Sequence, residues 1–528
     1  MLIFKSKDMK NLKYILIIFF ICQYGCKKSF LDQNANVNTI QSGIYYNTIA
    51  EVEGSTISQY AFIDYNDWWQ TQWWRSVSGE AASDNAWIGV NGGQGTAVQA
   101  AHYTLNAEND RVEGHWIMLY KSIYGFNATI EGIQKSPIDE NIKNKCVAEL
   151  KFLRAFQYWD LVRNWGAVPL ITKTLSPTEN TYSRTSAEDV YKFIKQDLKD
   201  AAEILPLKFA YTGSNKFRVS KGTAQALLAK INLYTESWAD AASLADQVIN
   251  SGEYSLEPFF GSVFAMTNYN GRESIFETQF QFSAQFPTLG NVFPTTSMSP
   301  AEGGWGYFTT TSDLENAFTA MGDNTRLNWT IMRHNFPVAG DPANPSFDAS
   351  PASEKSARFN RKIYIPRGER TPNGRFSKNH IYLRLADVYL IKAEASAMLM
   401  QTGPALGALK KVRDRVELTT DMTLTDWNLI VEVRKERRLE LALEGDRLYD
   451  LRRWKDQSGT PLINKIMGPT GTFVLYNTVT STDVYEKGNS NEPQNKGFSF
   501  VAGKHNLWPI PTKEIIASEG RITQNPDY

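Results

Sequence analysis

Aromatic rings set among hydrogen-bonding side chains are the residues of this chain best equipped for chemistry. The chemistry they suit is recognition of a ligand that has both apolar faces and hydroxyls. Trp68, Trp69, Trp73, Trp74 and Trp87 all fall within the string NDWWQTQWWRSVSGEAASDNAWIG, with Arg75, Glu80, Asp84 and Asn85 close by. A second cluster, GGWGYF, places Trp305, Tyr307 and Phe308 in a glycine-rich stretch. A sugar ring stacks its C–H faces on aromatic faces and needs fixed polar partners for its hydroxyls. Trp87, Trp305 and Tyr307, flanked by Gly and polar residues, are the candidate stacking platform, with Asp84, Asn85 and Arg75 as hydroxyl partners. Trp69 and Trp73, four apart, share one helix face and read instead as anchors of that helix to the core.

Catalytic constellations are not evident. The histidines, at 102, 115, 334, 380 and 505, are scattered and form no HExxH pair, and there is no G-x-S-x-G elbow. Gly92, Gly93 and Gly95 do not complete a G-x-G-x-x-G phosphate loop. Cys22 and Cys26 lie in the N-terminal segment, so Cys146 stands alone in the body and no cysteine-based zinc site can be built. Nothing in the pattern calls for a metal or a cofactor. With 56 Lys+Arg against 56 Asp+Glu the formal net charge is zero, which excludes the footprint of a general nucleic-acid binder and of a polybasic membrane-surface protein.

Lys10 and Lys13 precede an apolar run over 14–22, far shorter than the roughly 20 residues a membrane-spanning helix needs. The run fits the core of a secretory signal peptide, 1–25, followed by a polar tether, 26–36. Gly25-Cys26 resembles a bacterial lipobox, although Gln23 and Tyr24 depart from its usual Leu and small residue. Cys26 is therefore the expected lipid attachment site, leaving a body tethered to the membrane rather than crossing it.

Apolar periodicity predicts the elements that must carry these residues. Helical spacing runs over 113–133, 139–165 and 187–205, with breaks at Pro137, Gly166 and Pro206. It returns over 223–234, 238–249 and 383–400, and over 405–416 after a Gly403-Pro404 break. Small residues at the expected crossing points, such as Ala226, Ala229, Ala242, Ala393 and Ala397, suit tetratricopeptide-like hairpins. The prediction is a mainly α fold: a scaffold of helical pairs with large loop-rich insertions at 60–105, 252–300 and 337–374. From 431 to 454 the chain reads VEVRKERRLELALEGDRLYDLRRW, whose alternating charges at helical spacing predict ion-pair networks.

That block resembles the ER-x-x-EL-x-x-EG-x-R-x-x-DL-x-RW signature of the SusD/RagB family of Bacteroidota outer-membrane lipoproteins. Glu436-Arg437, Glu440-Leu441, Glu444-Gly445, Arg447, Asp450-Leu451 and Arg453-Trp454 carry the match. Pro509-Ile510-Pro511 and Gln524-Asn525-Pro526 with Tyr528 are similar to the family's C-terminal elements. So are RAFQYWDLVRNWGAVPL from Arg154 and Phe30-Leu31-Asp32 soon after Cys26. The resemblance implies an N-terminal helical region over 37–235 and a C-terminal region over 236–528 in one body, with no catalytic activity. It further implies surface capture of an oligosaccharide, or of peptide in some branches, for a SusC-like TonB-dependent transporter. Arg437, Glu440 and Arg447 would then lock helices together rather than touch ligand.

Overall fold

The computed structural model describes residues 45–64, 69–88, 95–176, 179, 182–285, 288–349, 356–479 and 499–528. Cys26, the signal segment, the tether and Trp68 lie outside the described residues.

The long helices form where the periodicity places them, and their ends are set by local chemistry. α1 is Ile49–Gln59, α2 Asp110–Gln134, α3 Glu140–Trp165, α4 Ala187–Ile204, α5 Lys221–Tyr234 and α6 Trp238–Asn250. α7 is Leu385–Met398, α8 Thr402–Asp414, α9 Asp426–Glu440 and α10 Arg447–Arg453. Side chains of Asn109, Asp139, Ser186 and Ser220 cap the first turns of α2 to α5 by accepting their free backbone N–H groups. α3 stops at Gly166, whose φ of 71° few other residues adopt at low cost. Pro404 does not delay α8, as the sequence suggested. It sits in the first turn, where its missing N–H would have had no helical partner.

Consecutive helices pack as neighbours from α2 through α8, and α6 lies on α7 although residues 251–384 intervene. The α5–α6 and α7–α8 hairpins turn in the same way. Ser237 N donates to Asn232 O at 2.9 Å and Gln401 N to Ser396 O at 2.8 Å. The residue before each of these donors, Glu236 and Met400, takes a left-handed φ of 56° and 58°. The array is thus mainly α with tetratricopeptide-like pairs.

The segments predicted to be loop-rich contain strands that pair across the sequence. β1 (Ala86–Ile88), β3 (Phe308–Thr310), β5 (Arg358–Asn360) and β4 (Ile331–Arg333) form an antiparallel sheet in the order β1-β3-β5-β4. β2 (Ser274–Thr278) pairs antiparallel with β6 (His380–Arg384). Residues 380–384, read from sequence partly as the start of a helix, are this strand. Trp87 pairs in register with Thr309, so β1 and β3 bring the two aromatic clusters of the sequence side by side.

The hairpin geometry predicts a stabilising substitution. Met400 is 81% exposed, so its side chain contributes little packing, while its left-handed backbone costs a non-glycine residue about 1 kcal/mol. Met400→Gly should raise the free energy of unfolding by about 0.5 kcal/mol, after the added entropy of an unfolded glycine is counted. Urea unfolding of parent and variant measures it.

Candidate ligand-binding site

Four of the six candidate ligand residues are buried, which corrects the sequence-based expectation for them. Trp87 is 1% exposed and packs 6.0 Å from the Phe473 ring in a small cluster with Tyr103, Leu448 and Leu451. Asp84 receives both Nε and Nη2 of Arg447 at 2.8 Å, and Arg438 at 3.2 Å. Burial alone would raise the Asp84 carboxyl, but those two guanidiniums outweigh it and hold it below the usual carboxylate range. Asn85 donates to Glu80 at 2.9 Å and accepts from Arg438 Nε at 2.9 Å. Arg75 binds Asp160 at 2.8 Å, Asp64 at 3.0 Å and Tyr382 at 2.9 Å. The partners of these polar groups lie up to several hundred residues away, so closeness to tryptophans in the chain said nothing about exposure.

Trp305 and Tyr307 stand otherwise. Trp305 is 40% exposed and Tyr307 half-buried, with ring centroids 5.6 Å apart at 54°. The loop beneath them is rigid. Gly304 N, Trp305 N, Gly306 N and Tyr307 N donate to Ser299 O, Thr295 O, Met298 O and Thr296 O at 2.8–2.9 Å. A Cβ on Gly304 would lie 2.2 Å from Met298 O, so only glycine fits this close approach.

Trp69 joins this pair from the other cluster, its ring 6.2 Å from Tyr307 at 70°. It stacks on Trp73 at 4.3 Å and has the Arg111 guanidinium 4.2 Å from its centroid. Trp73 is fully buried, as its helical spacing suggested, whereas Trp69 is half-buried and backs Tyr307. The i, i+4 spacing placed Trp69 and Trp73 on one helix face; nothing local could have signalled Tyr307 or Arg111.

The charged block is a buried lattice. Glu440 accepts from Arg326 at 2.9 Å, from Arg384 at 2.5 Å and from Arg415. Arg384 also reaches Glu444 and Glu273, and Arg437 binds Asp387 and Asp450. Arg437 and Glu440 are fully buried and Arg447 nearly so, tying α9, α10, β6 and the 76–85 segment together. Gly445 takes a φ of 98°, and a Cβ on Gly79 would lie 2.1 Å from its carbonyl oxygen. Two backbones touch here because Gly79 has no side chain, while Gly445 is needed for its left-handed backbone.

Comparison with known proteins decides the family. Residues 261–528 match the SusD family, and residues 29–233 match a family described as starch-binding associating with outer membrane. The chain belongs to the SusD family. SusD-like protein P2 of Formosa agariphila is 26% identical over 98% of this chain and 100% of its own length. A laminarin-binding SusD-like protein superposes with a TM-score of 0.72 at 24% identity, covering 92% of this chain and all of that one. Surface glycan-binding protein A from Bacteroides uniformis gives 0.73 at 22% identity, over 90% of this chain and 99% of that one. SusD-like family members are binding proteins rather than enzymes. Among the described residues no group of three or more His, Cys, Asp and Glu side chains is placed to hold a metal ion.

The C-terminal elements of this SusD-family chain work as a clamp. Asn525 Nδ2 donates to Trp165 O at 3.1 Å and to Trp508 O at 2.7 Å. Gln524 Oε1 accepts from Ile510 N while its Nε2 donates to Ile510 O. These bonds seat Trp508 against Trp74 and Trp165, each 5.4 Å away, and so hold the buried tryptophan cluster from which Trp69 and Trp73 extend.

Glu80 carries a pH dependence. Burial pushes its carboxyl up to about 7, although Asn85 and Gly445 N–H hydrogen bonds oppose the shift. Between about pH 4.5 and 7 the unfolded chain has released a proton that the folded chain still holds, so stability falls as pH rises through that window. Relative to a Glu80→Gln chain, the parent should lose about 3 kcal/mol between pH 4.5 and pH 7.5. Urea unfolding of both chains at the two pH values measures the difference of differences.

Proposed function

We propose that this chain is a glycan-capture protein of the cell surface that holds oligosaccharide on the Trp305–Tyr307 pair. The observation that carries this reading is a large aromatic ring kept 40% exposed on a loop whose backbone N–H groups from Gly303 to Tyr307 are all hydrogen-bonded. Exposing a tryptophan on a rigid loop forgoes burial energy, and rigidity lowers the entropy lost when a ligand stacks on it. Tyr307 extends the apolar surface, and Trp69 with Arg111 braces it from behind. The names of the laminarin-binding and surface glycan-binding neighbours point to the same ligand class.

In this reading Cys26 is lipidated and anchors the protein to the outer membrane. The second matched family's description, associating with outer membrane, supports that location. Among the described residues no helix is long and apolar enough to cross a membrane. Captured ligand passes to a SusC-like TonB-dependent transporter on which the protein docks.

Trp305→Ala and Tyr307→Ala should each stay folded and lose roughly five- to hundred-fold in affinity, about 1–3 kcal/mol of re-exposed apolar surface. The measurement is calorimetry with laminarin oligosaccharides and a wider glycan and peptide panel, with circular dichroism as the folding control. Unchanged binding by both folded variants places the ligand elsewhere. Cys26→Ala should abolish fatty-acid labelling in cells and release the protein from the membrane fraction. Label that persists in the variant rules out this anchor.

A further inference from the structure

A cleft of about 610 Å³ opens where β2 runs out, and it shares no lining residue with the Trp305–Tyr307 pair. Its volume lies in the roughly 300–1,000 Å³ range of small-molecule sites. Stretches far apart in sequence build it: the end of α1 and the residues just after it, Phe217, Tyr269, and residues 277–281 and Leu289 facing 377–379.

The apolar walls are pre-positioned. Tyr60 and Phe217 meet edge to face at 5.2 Å and 87°. Tyr60 cannot swing, because its hydroxyl donates to Glu149 at 2.6 Å and accepts from Val219 N at 3.1 Å. Tyr269 is held in the same way by donation to Ser377 O. Phe280 and Leu289 complete the apolar surface, and Gln281 N donating to Leu289 O at 3.1 Å fixes their relative position.

The polar groups at the floor are committed to the protein. Asp64 accepts from Arg75 at 3.0 Å and from Tyr382 and Thr278 at 2.6 Å. Glu277 accepts from Asn270 N at 2.7 Å and Asn379 Nδ2 at 2.8 Å. Both carboxylates are buried within these bonds: Asp64 faces the Arg75 guanidinium, while Glu277 is held by neutral donors that occupy its oxygens. What it does present at the rim is the exposed amide of Gln281, which offers both donors and an acceptor; the Gln279 amide is already bonded to Asn270, Asn379 and the Glu277 carbonyl.

Aromatic and aliphatic walls, a hydrogen-bonded floor and the Gln281 amide at the rim match one ligand chemistry: a neutral polyhydroxylated ring with apolar faces. We propose that this cleft is a second ligand site, taking a neutral saccharide unit. The assignment rests on the cleft alone and stands whether or not the Trp305–Tyr307 pair binds glycan. The two places are linked through the backbone. Thr295, whose carbonyl holds Trp305 N, donates its hydroxyl to Gly374 O at 2.6 Å, and the 374–379 stretch then runs into the cleft wall.

The test soaks crystals of the whole chain in glucose, galactose, mannose, N-acetylglucosamine and laminarihexaose, and pairs the result with calorimetry. The expected result is a sugar in the cleft, lost in Leu289→Trp, which fills the space, and weakened at least about ten-fold by Gln281→Ala. Trp305→Ala should leave that density in place. Gln281 is exposed, so its alanine variant should fold, and thermal unfolding checks both variants. Sugar on the aromatic pair but none in the cleft overturns this proposal and leaves the capture reading standing. Sugar in the cleft but none on the pair supports it and overturns the other. No sugar at either place overturns both as saccharide sites. Cleft density that is unaffected by the variants in calorimetry is binding at crystal concentration only, and overturns the proposal as well.

Discussion

One carboxylate, Glu440, holds three guanidiniums in a place water does not reach. Arg326 comes from the insertion between α6 and α7, Arg384 from the end of β6, and Arg415 from the end of α8. Moving each of these ions out of water costs several kcal/mol, which only a complete set of partners can offset. Removing one partner leaves buried charge behind, at a cost of about 3–5 kcal/mol. The arrangement is therefore close to all-or-none, and the insertion, the two-stranded sheet and the helical array must assemble together. The lattice continues through Glu444 to Lys362, and through Asp387 to Lys230 on α5. Ion pairs of this kind add little net energy against an apolar core, but their fixed directions specify one mutual placement of elements.

That fixed frame accounts for the character of the exposed aromatic pair. Its loop hangs from the segment 295–299, which lies against 374, and Tyr307 leans on Trp69, itself stacked on the buried Trp73. The C-terminal clamp holds Trp508 against Trp74 at the far side of the same cluster. Motif residues that never touch solvent thus set the position of the ring that does. The signature residues support the site rather than contact solvent: Arg447 engages Asp84, and Gly79 admits the Gly445 carbonyl.

Much of the fold was legible in the sequence. A helix periodicity of 3.6 and good caps are local properties, so α2 to α8 were readable to within a few residues. Charges alternating along a helix also announced an ion-pair block, and the i, i+4 spacing of Trp69 and Trp73 announced a core-facing helix, which holds for the buried Trp73. Cys26 and the short apolar run before it are likewise purely sequential features.

Exposure was not legible, because it depends on what arrives from elsewhere in the chain. Asp84, Asn85 and Arg75 carry the same side chains whether they face a ligand or a guanidinium, and only the approach of Arg447, Arg438 and Asp160 made them interior. Trp87 and Trp305 both lie in Gly-rich, polar surroundings in the sequence. One pairs in β1 and turns onto Phe473; the other rides a loop whose backbone N–H groups are already bonded, and its ring meets solvent. The sequence by itself determined which helices form and which charges must find partners, since those follow from local periodicity and from the cost of burying an unpaired ion. Tertiary structure alone decided which aromatic stays outside, because burial is a property of the neighbours that long-range pairing brings, not of the residue.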